Sequence, residues 1–144
     1  MWNLYLDEPD ESWVTKIQNF DYVIISSGTW FFHPTMLYLN HRLIGCVDCI
    51  EPNITHLISS FSYRMVFQTT FRAINNLKNY KGVTFLWTYS PGHFENGTWE
   101  QGGDCPRTMP FRRNEKVLED SNLVFYKIQL QEFEIAQKEG DNKV

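Results

Sequence analysis

Asp21-Tyr22-Val23-Ile24-Ile25-Ser26-Ser27-Gly28 and Lys81-Gly82-Val83-Thr84-Phe85-Leu86-Trp87-Thr88-Tyr89 are the two runs of this chain that read as strands. Each is short and rich in β-branched and aromatic residues. Each ends in small or turn-forming residues, Ser27-Gly28 in one case and Ser90-Pro91-Gly92 in the other. Such apolar runs predict strands buried on both faces, as in a parallel sheet. Between them, Ser62 to Leu77 places Val66, Thr70, Ala73, Ile74 and Leu77 at helical spacing, with Gly82 just beyond. Asp10 to Gln18 predicts a short helix, capped by Asp10 or Ser12, with Trp13 and Ile17 on one face. Asn122 to Lys138 predicts a last helix, its apolar side marked by Val124, Ile128, Gln131 and Ile135 and widened by Leu123, Leu130 and Phe133. Trp30 to Pro34 and Gly45 to Asn53 read as loops, and Met36 to Arg42 as a hairpin arm or a helical turn.

The alternation of helices and strands predicts an α/β fold with a parallel sheet. Ligands of open α/β sheets bind beyond the carboxyl ends of the strands. That rule puts Gly28 to His33 and Ser90 to Trp99 on one edge.

Composition narrows the function classes. The 144 residues predict one domain. Lys and Arg number 13 against 17 Asp and Glu, a net charge of −4, which argues against a general nucleic-acid binder. The longest apolar runs are far short of the ~20 residues that span a bilayer. Met1 to Asp10 is acidic and has no signal-peptide pattern. Aromatic residues make up 16% of the chain, enough for a core and for a sugar-binding surface besides.

Cys46, Cys49 and Cys105 are an odd set, so at least one thiol has no internal partner. Gly45 and Pro52 place Cys46-x-x-Cys49 in a loop, and the expectation is a disulfide among Cys46, Cys49 and Cys105 with the pairing open, free thiols and a metal site being the lesser alternatives. His56 and Cys105 complete a four-ligand set on paper, but the spacing matches no standard zinc finger, and no metal is expected. Asn53-Ile54-Thr55 is a glycosylation sequon beside these cysteines, and Asn96-Gly97-Thr98 is a second.

Among residues able to do chemistry, Gly28 offers close backbone approach or an N–H aimed at an oxyanion. His93 beside Glu95 suggests an acid–base pair, although sequence neighbours seldom face each other. Asn96 offers an amide donor to an oxyanion or a sugar hydroxyl, and Trp99 a face for a sugar ring. There is no G-x-S-x-G nucleophile elbow.

Ser90-Pro91-Gly92-His93-Phe94-Glu95-Asn96-Gly97-Thr98-Trp99-Glu100-Gln101-Gly102-Gly103-Asp104-Cys105 resembles the S-P-x-H-F-E-x-G-x-W-x-x-G-G-x-C stretch of the plant trichome birefringence-like proteins. Their PC-esterase domain acetylates cell-wall polysaccharides. Phe20 to Phe32 and Tyr80 to Leu86 are similar to two further blocks of that family. Arg64 to Asn76 and Gly45-Cys46-Val47-Asp48-Cys49 look most like its xyloglucan- and mannan-acetylating branch.

The resemblance implies an SGNH/GDSL-hydrolase-like sheet flanked by helices. It implies acetyl transfer by a Ser-His-Asp double displacement, with an acetyl donor as co-substrate and no resident cofactor. It also implies a polysaccharide acceptor, xyloglucan or mannan, and the Golgi lumen or membrane. The family's serine lies in a G-D-S motif and its Asp and His in a D-x-x-H motif, and neither occurs here. Residues 1–144 are therefore expected to form a partial, incomplete domain that lacks the triad and is inactive alone. The alternative is a non-catalytic carbohydrate- or protein-binding remnant. By resemblance, Gly28 matches the glycine that gives an oxyanion N–H, and His93 to Asn96 a segment near the active site. Trp87 stands where many members have Arg, and Thr29 and Gly92 replace larger polar residues.

Overall fold

The chain runs β1 (Trp2–Tyr5), α1 (Glu11–Ile17), β2 (Tyr22–Ser26), a 3₁₀ turn (Thr29–Phe32), β3 (Thr35–Leu39), β4 (Arg42–Val47), α2 (Ser59–Asn76), β5 (Val83–Trp87) and α3 (Asp120–Glu139). The structure is a computed structural model describing residues 1–90, 92–98, 100–118, 120–140 and 144. The two anticipated strands pair in parallel, from Tyr22 opposite Val83 to Ser26 opposite Trp87. A second sheet has the order β1-β3-β4, with β1 parallel to β3 and β3 antiparallel to β4. The fold is mixed α/β, as the sequence predicts.

Helix α2 lies between the two sheets. Tyr63, Phe67, Phe71 and Ile74 enter a core shared with Ile17, Tyr80 and the α3 residues Phe125, Ile128 and Ala136. Met65 and Val66 pack against a smaller cluster of Leu6, Leu37 and Val47 under the three-stranded sheet. Buried Thr69 also donates its hydroxyl to the Leu6 carbonyl at 2.5 Å, tying the helix to the end of β1. Rings carry much of the contact between α2 and α3. Tyr63 stacks on Phe125 at 4.3 Å and Phe71 meets Phe133 edge-on at 5.7 Å. Arg64 reaches across to the buried Glu132 carboxylate and, at 2.8 Å, to Gln131.

Several sequence expectations are corrected. Strands β2 and β5 pack on one face only, leaving Tyr22, Ile24, Val83, Phe85 and Trp87 exposed on the other. Gly45, Cys46 and Val47 are not loop but the end of β4. A glycine there is a poor strand former, yet the chain comes back alongside it. Cys46 N–H donates to the Thr55 carbonyl at 2.9 Å, and Leu57 N–H to the Cys46 carbonyl at 2.8 Å. A Cβ on Gly45 would lie 2.6 Å from that Thr55 oxygen.

Residues 36–42 form a hairpin, turned at Asn40 and His41, both with positive φ. That is the two-residue turn whose twist suits paired strands, made here without glycine. Asp7 accepts the Asn40 N–H at 2.9 Å and steadies it. Trp30 to Phe32 lies in the 3₁₀ turn rather than in irregular loop, and β1 was not anticipated at all. On α3, Val124 and Ile135 are 46% and 45% exposed, while Gln129 and Glu132 are buried. The burial stripe is displaced because those two polar side chains find partners inside. Helix α1 begins as predicted. Asp10 caps it at 2.7 Å from Ser12 N–H, and the Ser12 side chain and backbone together hold the Asp10 carboxyl below its ordinary range.

Gly82 sets the spacing of β2 against β5. A Cβ there would stand 2.6 Å from the Phe20 carbonyl oxygen and 2.7 Å from that of Asp21. The Asp21 carbonyl also accepts Val83 N–H at 2.8 Å, so the clash cannot be relieved without opening the sheet. Gly82→Ala is expected to destabilise the chain by about 2 kcal/mol. The measurement is a denaturant unfolding curve, with Gly92→Ala, where added atoms meet nothing within 4 Å, as the neutral control.

Candidate active site at the strand ends

Parallel pairing brings the carboxyl ends of β2 and β5 to one edge, so Ser27-Gly28 and Thr88-Tyr89 emerge side by side. A Cβ built on Gly28 would lie 3.8 Å from Tyr89 Cε2. Backbone groups here have left the sheet ladder and need other partners. The fully buried Gln129 of α3 provides them. Its Oε1 accepts Tyr89 N–H at 2.6 Å, and its Nε2 donates to the carbonyls of Ser27 at 3.4 Å and Trp87 at 3.5 Å. Tyr63 of α2 adds a hydroxyl bond to the Ser27 carbonyl at 3.0 Å. Two helices thus hold both strand ends.

Burial pushes the Tyr63 phenol well above its ordinary value, and burial raises Tyr89 as well. Gly28 begins the 3₁₀ turn, its carbonyl accepting Phe31 N–H at 3.4 Å. Its own N–H has no hydrogen-bond acceptor among the described residues. A backbone N–H beside two strand ends, unbonded among the described residues, is a donor available to a bound oxygen.

The second anticipated segment folds into a small hairpin of its own. Glu95 and Asp104 exchange backbone hydrogen bonds at 2.9 and 3.1 Å, and Gly103 N–H closes on the Thr98 carbonyl at 2.8 Å. Its glycines are structural. Gly97 adopts φ +152°, and a Cβ on Gly103 would sit 2.6 Å from the Gly97 carbonyl carbon and oxygen. Arg107 clasps the hairpin to the following segment. It meets Glu95 at 2.7 Å and Glu115 at 3.3 Å, and lies 4.0 Å over the Phe111 ring.

The structure does not assemble His93 and Glu95 into an acid–base pair, because Glu95 is engaged by Arg107 while the exposed His93 ring lies against Phe94 at 4.6 Å. Asn96 is exposed, with φ +60° in the turn. Among the described residues, no hydrogen bond joins His93 or Asn96 to Gly28. Trp99 lies outside the described residues.

Cys46 and Cys49 form a disulfide, and Cys105 is an exposed free thiol. The sulfurs of Cys46 and Cys49 and a His56 nitrogen lie within 4.8 Å of one another. With both sulfurs covalently joined, the thiolates that a metal needs are absent. His56 Nε2 instead sits 3.1 Å from the Glu51 carbonyl. Asn53 is exposed on a turn that follows the disulfide.

Sequence reading missed Gln129 and Tyr63. The available signal was a glutamine on the same helical face as Phe125 and Ala136, and a tyrosine one turn before Phe67.

Gln129→Leu is expected to cost about 2–3 kcal/mol, because Tyr89 N–H and the Trp87 carbonyl lose their partner. Chemical denaturation measures it. Tyr63 also makes stability pH-dependent. Its folded pKa lies above the ordinary phenol value of 10.0, so its contribution is complete below pH 10.0 and falls away as the pH rises above it. The denaturation midpoint should fall less steeply above pH 10.0 in Tyr63→Phe than in the parent chain.

The PC-esterase family model, described as the GDSL/SGNH-like acyl-esterase family found in Pmr5 and Cas1p, matches residues 1–144. The chain is 48% identical over 138 residues to protein trichome birefringence-like 20 of Arabidopsis thaliana, covering 96% of this chain and 29% of that protein. It is 46% identical over 143 residues to trichome birefringence-like 19 of the same plant, covering 99% and 33%. It is 39% identical over 141 residues to xyloglucan O-acetyltransferase 4 of Populus trichocarpa, covering 97% and 34%. The chain thus spans about a third of the length of the curated relatives it matches. No solved structure matches it significantly. A family match over all 144 residues and relatives this similar lead to one conclusion: the chain belongs to the PC-esterase family.

Proposed function

We propose that this chain forms part of the active-site wall of a plant polysaccharide O-acetyltransferase, and that Gly28 N–H stabilises the oxyanion during acyl transfer. The observation that carries the reading is the unpartnered Gly28 N–H at an edge fixed by Gln129 and Tyr63. The serine hydroxyl attacks the donor's acetyl carbonyl and gives its proton to the histidine, which returns it to the departing donor group. A sugar hydroxyl then attacks the acetyl-serine carbonyl and gives its proton to the histidine, which returns it to the serine oxygen as that leaves. Each half-reaction passes through a tetrahedral oxyanion that a fixed N–H stabilises better than it does the flat carbonyl. No Gly-Asp-Ser or Asp-x-x-His occurs in these 144 residues, so serine, aspartate and histidine come from other segments of the domain.

The acceptor is a neutral hemicellulose. Xyloglucan is favoured over mannan because four relatives carry the name xyloglucan O-acetyltransferase. The Golgi lumen is the compartment, which the Cys46–Cys49 disulfide and the exposed Asn53 sequon both suit. Among the described residues, no helix is long and apolar enough to cross a membrane. A non-catalytic, polysaccharide-binding role is the second reading, favoured by the absence of the two motifs within these residues.

Exchanging this chain for the matching stretch of the Populus xyloglucan O-acetyltransferase separates the two. The exchanged protein is expected to transfer acetyl to xyloglucan, and a folded but inert product would overturn the catalytic reading. Gly28→Val in it should lower kcat on the order of 10²-fold while Tm hardly moves. The 144-residue chain alone should show no acetyl-enzyme by intact mass.

A further inference from the structure

Beside Gly28 the structure has a cleft that the oxyanion reading does not use. It has a volume of about 300 Å³ and lies between the start of β1, the 3₁₀ turn and α2. Trp2, Asn3, Trp30, Phe31, Thr35 and Ser62 are among the residues lining it. That volume is at the lower end of the roughly 300–1,000 Å³ of small-molecule clefts. Trp2 and Trp30 are 64% and 69% exposed, although large aromatic rings are costly to leave in water. They meet edge-on at 6.3 Å and 66°, which makes an aromatic corner rather than a closed stack.

The corner is anchored to the site. Trp30 follows Gly28 by two residues in the same 3₁₀ turn. Phe31 packs edge-on against Tyr63 at 4.9 Å, and Tyr63 holds the Ser27 carbonyl. Trp2 N–H is fixed at 3.1 Å on the Pro34 carbonyl, and Trp2 stands opposite Thr35 in the sheet.

Charge selects the occupant. Among the described residues lining this cleft none is ionisable, whereas other clefts carry Glu8 and Asp10, or Arg64 and Lys127. A site with flat apolar faces, a few amide and hydroxyl groups and no charge suits a neutral ligand of hydroxyls and exposed C–H faces. A pyranose ring is such a ligand, offering C–H groups to an indole face and hydroxyls to Asn3 and Thr35. We propose that Trp2 and Trp30 form an acceptor subsite for a neutral pyranose unit, which leads the polysaccharide to Gly28. The inference rests on the O-acetyltransferase reading for its substrate class.

Calorimetric titration of the 144-residue chain with a neutral xyloglucan oligosaccharide, and with an acidic oligogalacturonide as comparator, tests it. The neutral oligosaccharide should bind at least about tenfold more tightly than the acidic one. Trp2→Ala and Trp30→Ala should each weaken binding about tenfold. Trp2→Phe and Trp30→Phe, which keep an aromatic face, should recover most of the affinity, and Phe20→Ala at the far end of β2 should change nothing. Thermal unfolding checks that each variant is folded, and Trp2→Leu and Trp30→Leu, which keep apolar bulk without a ring, carry the test if an Ala variant is not. Unchanged affinity in the folded Ala or Leu variants, equal binding of the acidic oligomer, or no binding of the neutral one would each overturn the subsite. None of these touches acetyl transfer by the exchanged full-length protein. An inert exchanged protein with the Trp-dependent binding intact would instead remove the catalytic reading and leave the subsite standing.

Discussion

Parallel strands leave a sheet with their last backbone groups unpaired, and in this chain the amide of Gln129 takes up those of β2 and β5 together. One carbonyl oxygen and two N–H donors meet Tyr89 N–H and the carbonyls of Ser27 and Trp87. A side chain with only donors or only acceptors does not fit that set. Because Gln129 is on α3, Ser27 near β2 and Tyr89 near β5, the bonds lock three distant parts of the chain into one edge. Tyr63 doubles the hold on Ser27 from α2. The position of Gly28, and with it any chemistry at this edge, depends on that buried polar network.

The helices that deliver these polar groups are placed by aromatic packing. Tyr63, Phe67 and Phe125 form a continuous group of rings, joined by Phe31 from the turn after Gly28 and by Tyr89 from the segment after β5. The same rings therefore bury the core and support the site. Stacked and edge-on aromatics have narrow geometric preferences, so they carry position as well as burial. The hairpin of residues 95–104 follows another logic, with its backbone ladder, close-packed glycines and Arg107 clasp all local.

How much of the site was legible follows from the range of each interaction. Gly28 and the edge were legible because strand runs and their terminating residues are local signals, and parallel pairing then fixes which ends meet. The Asp10 cap and the extents of the three helices were legible for the same reason, to within a few residues. The proposed pairing of His93 with Glu95 failed because neighbouring side chains compete for partners elsewhere. Arg107 lies twelve positions from Glu95, and no local pattern announces it. The Trp2–Trp30 corner was equally hidden, since it depends on β1, a strand whose four residues pair only with β3.

The sequence by itself determined the α/β class, the two parallel strands, the principal helices and the family, because these rest on short-range periodicity and on a contiguous string from Ser90 to Cys105. Tertiary structure alone decided which helix faces are buried, that β4 continues through Gly45 to Val47, and that β2 and β5 pack on one side. It also decided that Gln129, rather than an apolar neighbour, occupies the inside of α3. The physical reason is that burial of a polar group is favourable only when its partners are in place, and those partners come from segments up to 102 residues away.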